Sequence, residues 1–171
     1  LAGRSITLVA DPGGVLPLHP PGTLHPPQSP RILAVMPRPA DLTPADTSSS
    51  VAPWLGAALR TVYPEVTEIV VGQRPDAADI AAVRAAAGSA GAVVVGTIDC
   101  HRQTEQLALV EAMAQTGVRV VAVAMRGPWD VWAYPAGVTA LATYSILPRS
   151  LEALALVLAG SSVAEGRRDP P

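Results

Sequence analysis

Lysine, asparagine and phenylalanine are absent from this chain of 171 residues, and cysteine occurs once. A single cysteine excludes an internal disulfide and leaves the redox compartment open. With lysine missing, all 12 basic residues are arginine. The three missing residue types share AT-rich codons, so a GC-rich genome accounts for them, and arginine abundance is weak evidence for anion recognition. Charged residues make up only 15% of the chain and the net charge is −2. That balance provides no electrostatic footprint for nucleic acid. It is also lean for a free-standing surface, which points to coverage by a partner. No run approaches the roughly 20 apolar residues of a membrane helix. No basic, apolar and small-residue order of a secretory leader opens the sequence. The Gly-x-Gly-x-x-Gly fingerprint, the P-loop and the Gly-x-Ser-x-Gly elbow are missing, so a nucleotide site lacks its phosphate cradle and no cofactor is expected.

What is present is organised around residues 91–130. Ala92–Gly96 and Val118–Met125 are β-branched-rich apolar runs, as strands buried on both faces require. Between them Leu107, Val110, Met113 and Ala114 recur at helical spacing, with Thr104 placed to cap the helix and Gly117 to end it. Upstream, Ser5–Ala10 reads as a strand. Asp11-Pro12-Gly13-Gly14 then turns it into a short extended return, Val15–Leu18, which Pro17 confines to an edge. Residues 19–30 form a Pro-rich loop in which His-Pro-Pro occurs twice, at His19 and His25. No cysteine or carboxylate lies beside them, so no metal is expected there. Arg31–Met36 is a second strand. A helix capped from Asp46, Thr47 or Ser48–Ser50 follows, with Val51, Leu55, Leu59 and Val62 as its stripe. Val66–Val71 is the third strand, and Asp76 opens a helix that ends at Gly88. Val138–Thr143 is a last strand, Pro148 introduces a helix over 151–158, and residues 161–171 read as a frayed polar tail. Alternation of this kind predicts an α/β three-layer sandwich, a mostly parallel twisted sheet with helices on both faces in the flavodoxin-like manner. A chain of this length fits one domain, 1–171, burying roughly 70% of its unfolded surface. It begins at Leu1 and runs almost at once into a strand, so it reads as a piece of a longer or processed polypeptide.

In such sheets ligands sit outside the carboxyl ends of the strands. The candidate site residues are therefore in the loops there: Arg38 after the second strand, Asp99, Cys100 and His101 after Gly96, and Arg126 and Asp130 after Met125. Arg126 can hold a carboxylate, a phosphate or a sugar hydroxyl through its planar fork, or it can bridge Asp130 and shape the loop. Asp99 with Glu105, or Asp99 with Asp130, is a candidate carboxylate pair for glycoside chemistry, against the reading that such groups satisfy backbone N–H groups or arginines. Cys100 beside His101 would need thiolate and imidazole within hydrogen-bond reach, which adjacency in one loop does not provide.

With those residues in view, the chain resembles the C-terminal α/β sandwich domain of glycoside hydrolase family 3, in its two-domain bacterial β-N-acetylhexosaminidase branch. Residues 4–18 look like the opening of that domain. Residues 118–134, ending Met-Arg-Gly-Pro-Trp-Asp-Val-Trp-Ala-Tyr, are similar to the family's Arg-x-Pro-x-Asp segment. Residues 142–158 resemble its closing strand and helix. Gly160 and then Gly166-Arg167 echo its Gly-Arg-Leu-Pro ending, although Arg168-Asp169-Pro170 departs from that ending. The resemblance implies a retaining glycoside hydrolase whose carboxylate nucleophile and Asp–His acid/base both lie on an N-terminal TIM barrel in the same chain, with a carbohydrate substrate. A barrel takes roughly 250 residues, so none fits here and no catalytic residue carries over to this sequence. Residues 38–47, 97–101 and 126–130 become the expected contacts with the barrel or the sugar. The resemblance further implies a bacterial protein, cytoplasmic or exported, and no metal. The alternative readings are an autonomous small-ligand or sugar-binding module without catalytic activity, and a stand-alone flavodoxin-like enzyme using Asp99, Cys100 or His101.

Overall fold

A computed structural model describes residues 6–18, 29–41, 43–164 and 166–167. The His-Pro-Pro repeats at His19 and His25 lie outside the described residues. In chain order the elements are β1 (Thr7–Ala10), β2 (Ile32–Pro37), α1 (Leu55–Leu59), β3 (Val66–Val71), α2 (Ala77–Ala87), β4 (Ala92–Thr97), α3 (Thr104–Ala114), β5 (Arg119–Ala124), β6 (Thr139–Ala142), α4 (Pro148–Leu158) and β7 (Gly166–Arg167). Short 3-10 helices lie at Ser48–Ser50 and Pro128–Trp132. The strands form one sheet in the order β3-β2-β4-β5-β6-β1-β7. β3, β2, β4, β5 and β6 are mutually parallel, β1 runs antiparallel to β6, and β7 runs parallel to β1.

The mostly parallel α/β sandwich is thus the fold, and its cause is visible along the strands. β2 and β4 are buried at every position. Their alternate residues belong to two cores. Ile32, Ala34, Met36 and Val94 face α1 and α4, where Leu55, Leu59, Leu151, Leu154 and Leu158 complete one core. Leu33, Val35, Val93 and Val95 face α2 and α3, where Val83, Leu109, Val110 and Met113 complete the other. Over β5 and β6 the Pro128–Trp132 turn and Tyr134 take the place of a helix, covering Ala124, Ala140 and Ala142. Asp76 and Asp79 close a reciprocal capping box at the start of α2, which satisfies backbone donors that the helix itself cannot.

Four details differ from the sequence-based expectation. Val15–Leu18 does not return beside β1. The Asp11 carboxylate accepts the N–H groups of Val15 and Leu16 at 2.8 and 3.2 Å, which curls the segment away, and Leu18 instead donates to the Leu158 carbonyl at 2.8 Å. α1 begins only at Leu55 and is not capped from 46–50. Pro53 precedes it, Asp46 is spent on Ser48, and Glu68 reaches over from β3 to accept the Gly56 N–H at 2.9 Å. Thr104 is the first helical residue of α3 rather than its cap, and the buried face is Gln106, Leu109, Val110, Ala112 and Met113, with Leu107 half-buried and Ala114 exposed. Finally, the polar tail is not wholly frayed: Gly166–Arg167 adds a two-residue strand to β1.

Candidate functional site

The sheet reverses its strand order between β2 and β4, because β3 lies on one side of β2 and β4 to β6 on the other. The crevice outside the carboxyl ends of those strands is where open α/β sheets bind ligands. Three consecutive loops open onto it, and side chains fix them. The buried Gln106 accepts the Ile98 N–H through Oε1 at 2.8 Å and donates through Nε2 to the Gln73 carbonyl at 2.9 Å. Gln73 in turn donates to the Arg38 carbonyl. The loops after β2, β3 and β4 are therefore tied together by amides, each supplying a donor and an acceptor.

Beside this lies a chain of four polar side chains. Asp130, on the 3-10 turn after β5, is 1% exposed. Its Oδ2 accepts from Thr97 Oγ1 at 2.6 Å, and its Oδ1 accepts from His101 N at 3.1 Å and meets His101 Nδ1 at 2.8 Å. Thr97 Oγ1 also meets the Tyr134 hydroxyl at 2.7 Å. A hydroxyl has one proton, so with Thr97 donating to Asp130, Tyr134 must donate to Thr97. Burial pushes the Tyr134 hydroxyl well above its ordinary pKa, which keeps it a donor. A carboxylate only accepts, so His101 carries a proton on Nδ1 and donates it to Asp130. The order is Tyr134 to Thr97 to Asp130 to His101, ending in an imidazole whose side chain is 30% exposed. Asp99 sets the loop's path with a left-handed φ of 58°, a conformation that Asp tolerates better than most residues.

The structure brings Asp99, His101 and Asp130 together: one ligand-type atom from each lies within 4.8 Å of the others. Both Asp130 oxygens are already engaged by protein donors, however, so the buried member offers no uncommitted oxygen to a cation. It does not bring Arg126 to Asp130. Arg126 Nη2 instead donates to Asp46 Oδ2 at 2.8 Å, across the end of β4, because Asp130 is filled by Thr97 and His101. Glu105 pairs with Arg74 at 3.6 Å and is no partner for Asp99. Arg38 is exposed, and its backbone rather than its guanidinium enters the network. Cys100 is buried, and burial together with the Asp130 charge pushes its thiol up to about 12, so no thiolate is on hand for nucleophilic work at neutral pH. Sequence reasoning missed Tyr134 and Gln106. Gln106 did leave a signal, a polar residue in phase with Leu109, Val110 and Met113 on the buried face of α3.

Large apolar side chains stand exposed around this edge. Trp129 is 63% exposed, Leu147 53% and Tyr144 40%, in the connections after β5 and β6, and Trp54 heads α1 at 38%. Trp132 adds a further exposed ring on the 3-10 crossover.

No family model matches the sequence. No curated protein matches it either. Solved structures do. A glycoside hydrolase family 3 β-N-acetylglucosaminidase from Paenibacillus sp. str. FPU-7 superposes with a TM-score of 0.78 at 28% identity, over 96% of this chain and 30% of that one. A fungal multi-domain family 3 β-N-acetylglucosaminidase superposes at 0.75 and 21% identity, over 99% of this chain and 18% of that one. A β-glucosidase from Listeria innocua superposes at 0.73 and 18% identity, over 94% of this chain and 24% of that one. The chain thus spans less than a third of the length of each of these three proteins, and its α/β fold matches the C-terminal domains of family 3 glycoside hydrolases.

Proposed function

We propose that this chain is the C-terminal accessory domain of a family 3 glycoside hydrolase of the β-N-acetylhexosaminidase type, packed beside a catalytic TIM barrel that belongs to the same polypeptide. One observation carries the reading: the chain superposes almost end to end on a minor part of a β-N-acetylglucosaminidase, which leaves most of that protein without a counterpart here. The edge at the strand carboxyl ends is the face assigned to the barrel. Its exposed Trp129, Leu147, Tyr144 and Trp54 are large apolar groups of the kind that interfaces bury. The loops after β2, β4 and β5 then border the sugar cleft, with the partly exposed His101 imidazole offered to it. No catalytic residue is assigned to this chain, because Asp130 and Cys100 are locked in internal contacts and Glu105 is paired with Arg74.

The test is the mass of the native polypeptide, read by immunoblot with an antibody to this domain. A product larger by a barrel of roughly 250 residues or more supports the reading. A native product near 17.5 kDa overturns it. Hydrolysis of an aryl N-acetylglucosaminide by the isolated chain, at a rate comparable to a complete family enzyme, would overturn the division of labour.

A further inference from the structure

Arg126 is held in an incomplete way. Its Nη2 donates to Asp46 Oδ2 at 2.8 Å, but its Nη1 is buried and has no hydrogen-bond partner. A guanidinium is built to engage two oxygens of one oxyanion in parallel, and here one arm of the fork is unfilled. Asp46 cannot fill it, because its Oδ1 is turned away to accept from the backbone and hydroxyl of Ser48 at 2.9 and 2.6 Å. The bridge joins the loop after β5 to the loop after β2, so it spans the carboxyl end of β4 at the strand-order reversal, the place where this architecture takes ligands. The Arg126 side chain is 34% exposed and that of Asp46 8%. Solvent therefore reaches the Arg126 side chain but not its unfilled Nη1, so a ligand takes that arm only as it displaces the Asp46 contact.

We propose that Arg126 anchors an oxyanion site, for a ligand carboxylate or phosphate group, which the chain's own Asp46 carboxylate occupies in the ligand's place. A ligand that takes both arms of the fork displaces a partner that takes one. Arg126 and Asp46 both belong to this chain, on the edge that the proposed function turns toward the barrel, so a titration of the chain alone tests the site apart from that reading. Asp46→Asn separates the contributions: the amide oxygen keeps the two Ser48 contacts, and the amide nitrogen no longer competes for the guanidinium. Its removal takes away both a tethered competitor and a like charge beside the incoming anion, and is expected to tighten anion binding by about tenfold or more.

The experiment is a titration of the 171-residue chain with sodium acetate and, separately, inorganic phosphate at constant ionic strength. The readouts are the Arg126 Nε–H and Trp129 indole N–H resonances. A saturable shift in Asp46→Asn at a concentration about tenfold or more below the wild-type midpoint, lost in Arg126→Gln at the Trp129 signal, is the expected result. Arg126→Lys, which keeps the charge but not the fork, is the second variant if Arg126→Gln fails to fold, and it should bind more weakly than Asp46→Asn with Arg126 intact. Saturation by acetate alone assigns the site to carboxylates, and by phosphate alone to phosphate groups. Equal midpoints in wild type and Asp46→Asn, shifts that survive the Arg126 substitutions, or no saturation by either anion overturns the proposal.

Discussion

Removing the Asp130 carboxylate should cost the domain a large part of its stability. Asp130 is 1% exposed and takes three donors: Thr97 Oγ1, the His101 N–H and His101 Nδ1. In Asp130→Ala all three lose their acceptor. The imidazole is partly exposed and finds water. The Thr97 hydroxyl is 1% exposed with its residue and does not, and the His101 N–H loses a part-buried bond. Each buried donor without a partner costs about 1–3 kcal/mol, so the two together give a loss of about 2–6 kcal/mol. A domain of this size has about 5–15 kcal/mol in all. Asp130→Asn should cost less, about 1–2 kcal/mol. Its Oδ1 still accepts from His101, its amide donates to Thr97 Oγ1, and Thr97 can reverse its own proton toward Tyr134. Urea unfolding followed by circular dichroism reads the midpoint, and an unchanged m-value confirms that the folded and unfolded states are the same. If Asp130→Ala lost less than about 1 kcal/mol, or Asp130→Asn as much as Asp130→Ala, the reasoning from buried donors would be wrong.

Three further outcomes follow from other parts of the fold. Cys100, Tyr63 and Tyr134 are all raised by burial, Cys100 to about 12 against an ordinary 9.0. The unfolded chain ionises first, so their contribution is complete below pH 9 and is lost as pH rises toward 12; Cys100→Ala should flatten that decline in a series of urea midpoints between pH 8 and 11, and an unaltered slope would refute it. Gly96→Ala places a Cβ against the buried Met125 sulfur near the carboxyl end of β4, which should cost about 1–3 kcal/mol by thermal unfolding. Asp76→Ala breaks the capping box of α2 and should cost about 1 kcal/mol, with Asp76→Asn restoring most of it.

How far a sequence can be read depends on whether a feature is set by local pattern or by contacts across the sheet. The apolar runs of β2, β4 and β5 are legible because strands buried on both faces are almost wholly apolar, and the helix start at Asp76 is legible because its cap closes within four residues. The choice of partner for each charge is not legible in this way. Arg126 and Asp130 sit four positions apart and look like a bridge, yet Asp130 turns inward to residues 29 and 33 positions earlier, and Arg126 reaches 80 positions back to Asp46. Those pairings are fixed by the strand order, which sets the loops after β2, β4 and β5 side by side. The same distinction explains α1. Its N-terminus lies next to a run of capping residues, Asp46 to Ser50, but those side chains are drawn into the Ser48–Ser50 turn and the Arg126 bridge. The Gly56 N–H is then served by Glu68 from β3, a group no local reading would choose. Polar residues at core-phase positions are the exception that a sequence can flag in advance. Gln106 falls on the buried face of α3, where an amide persists only if both of its ends are used, and its partners Ile98 and Gln73 are the loops that flank the crevice. A buried polar residue in an otherwise apolar stripe is therefore a better pointer to this site than the exposed arginines, because its neighbours must be arranged around it.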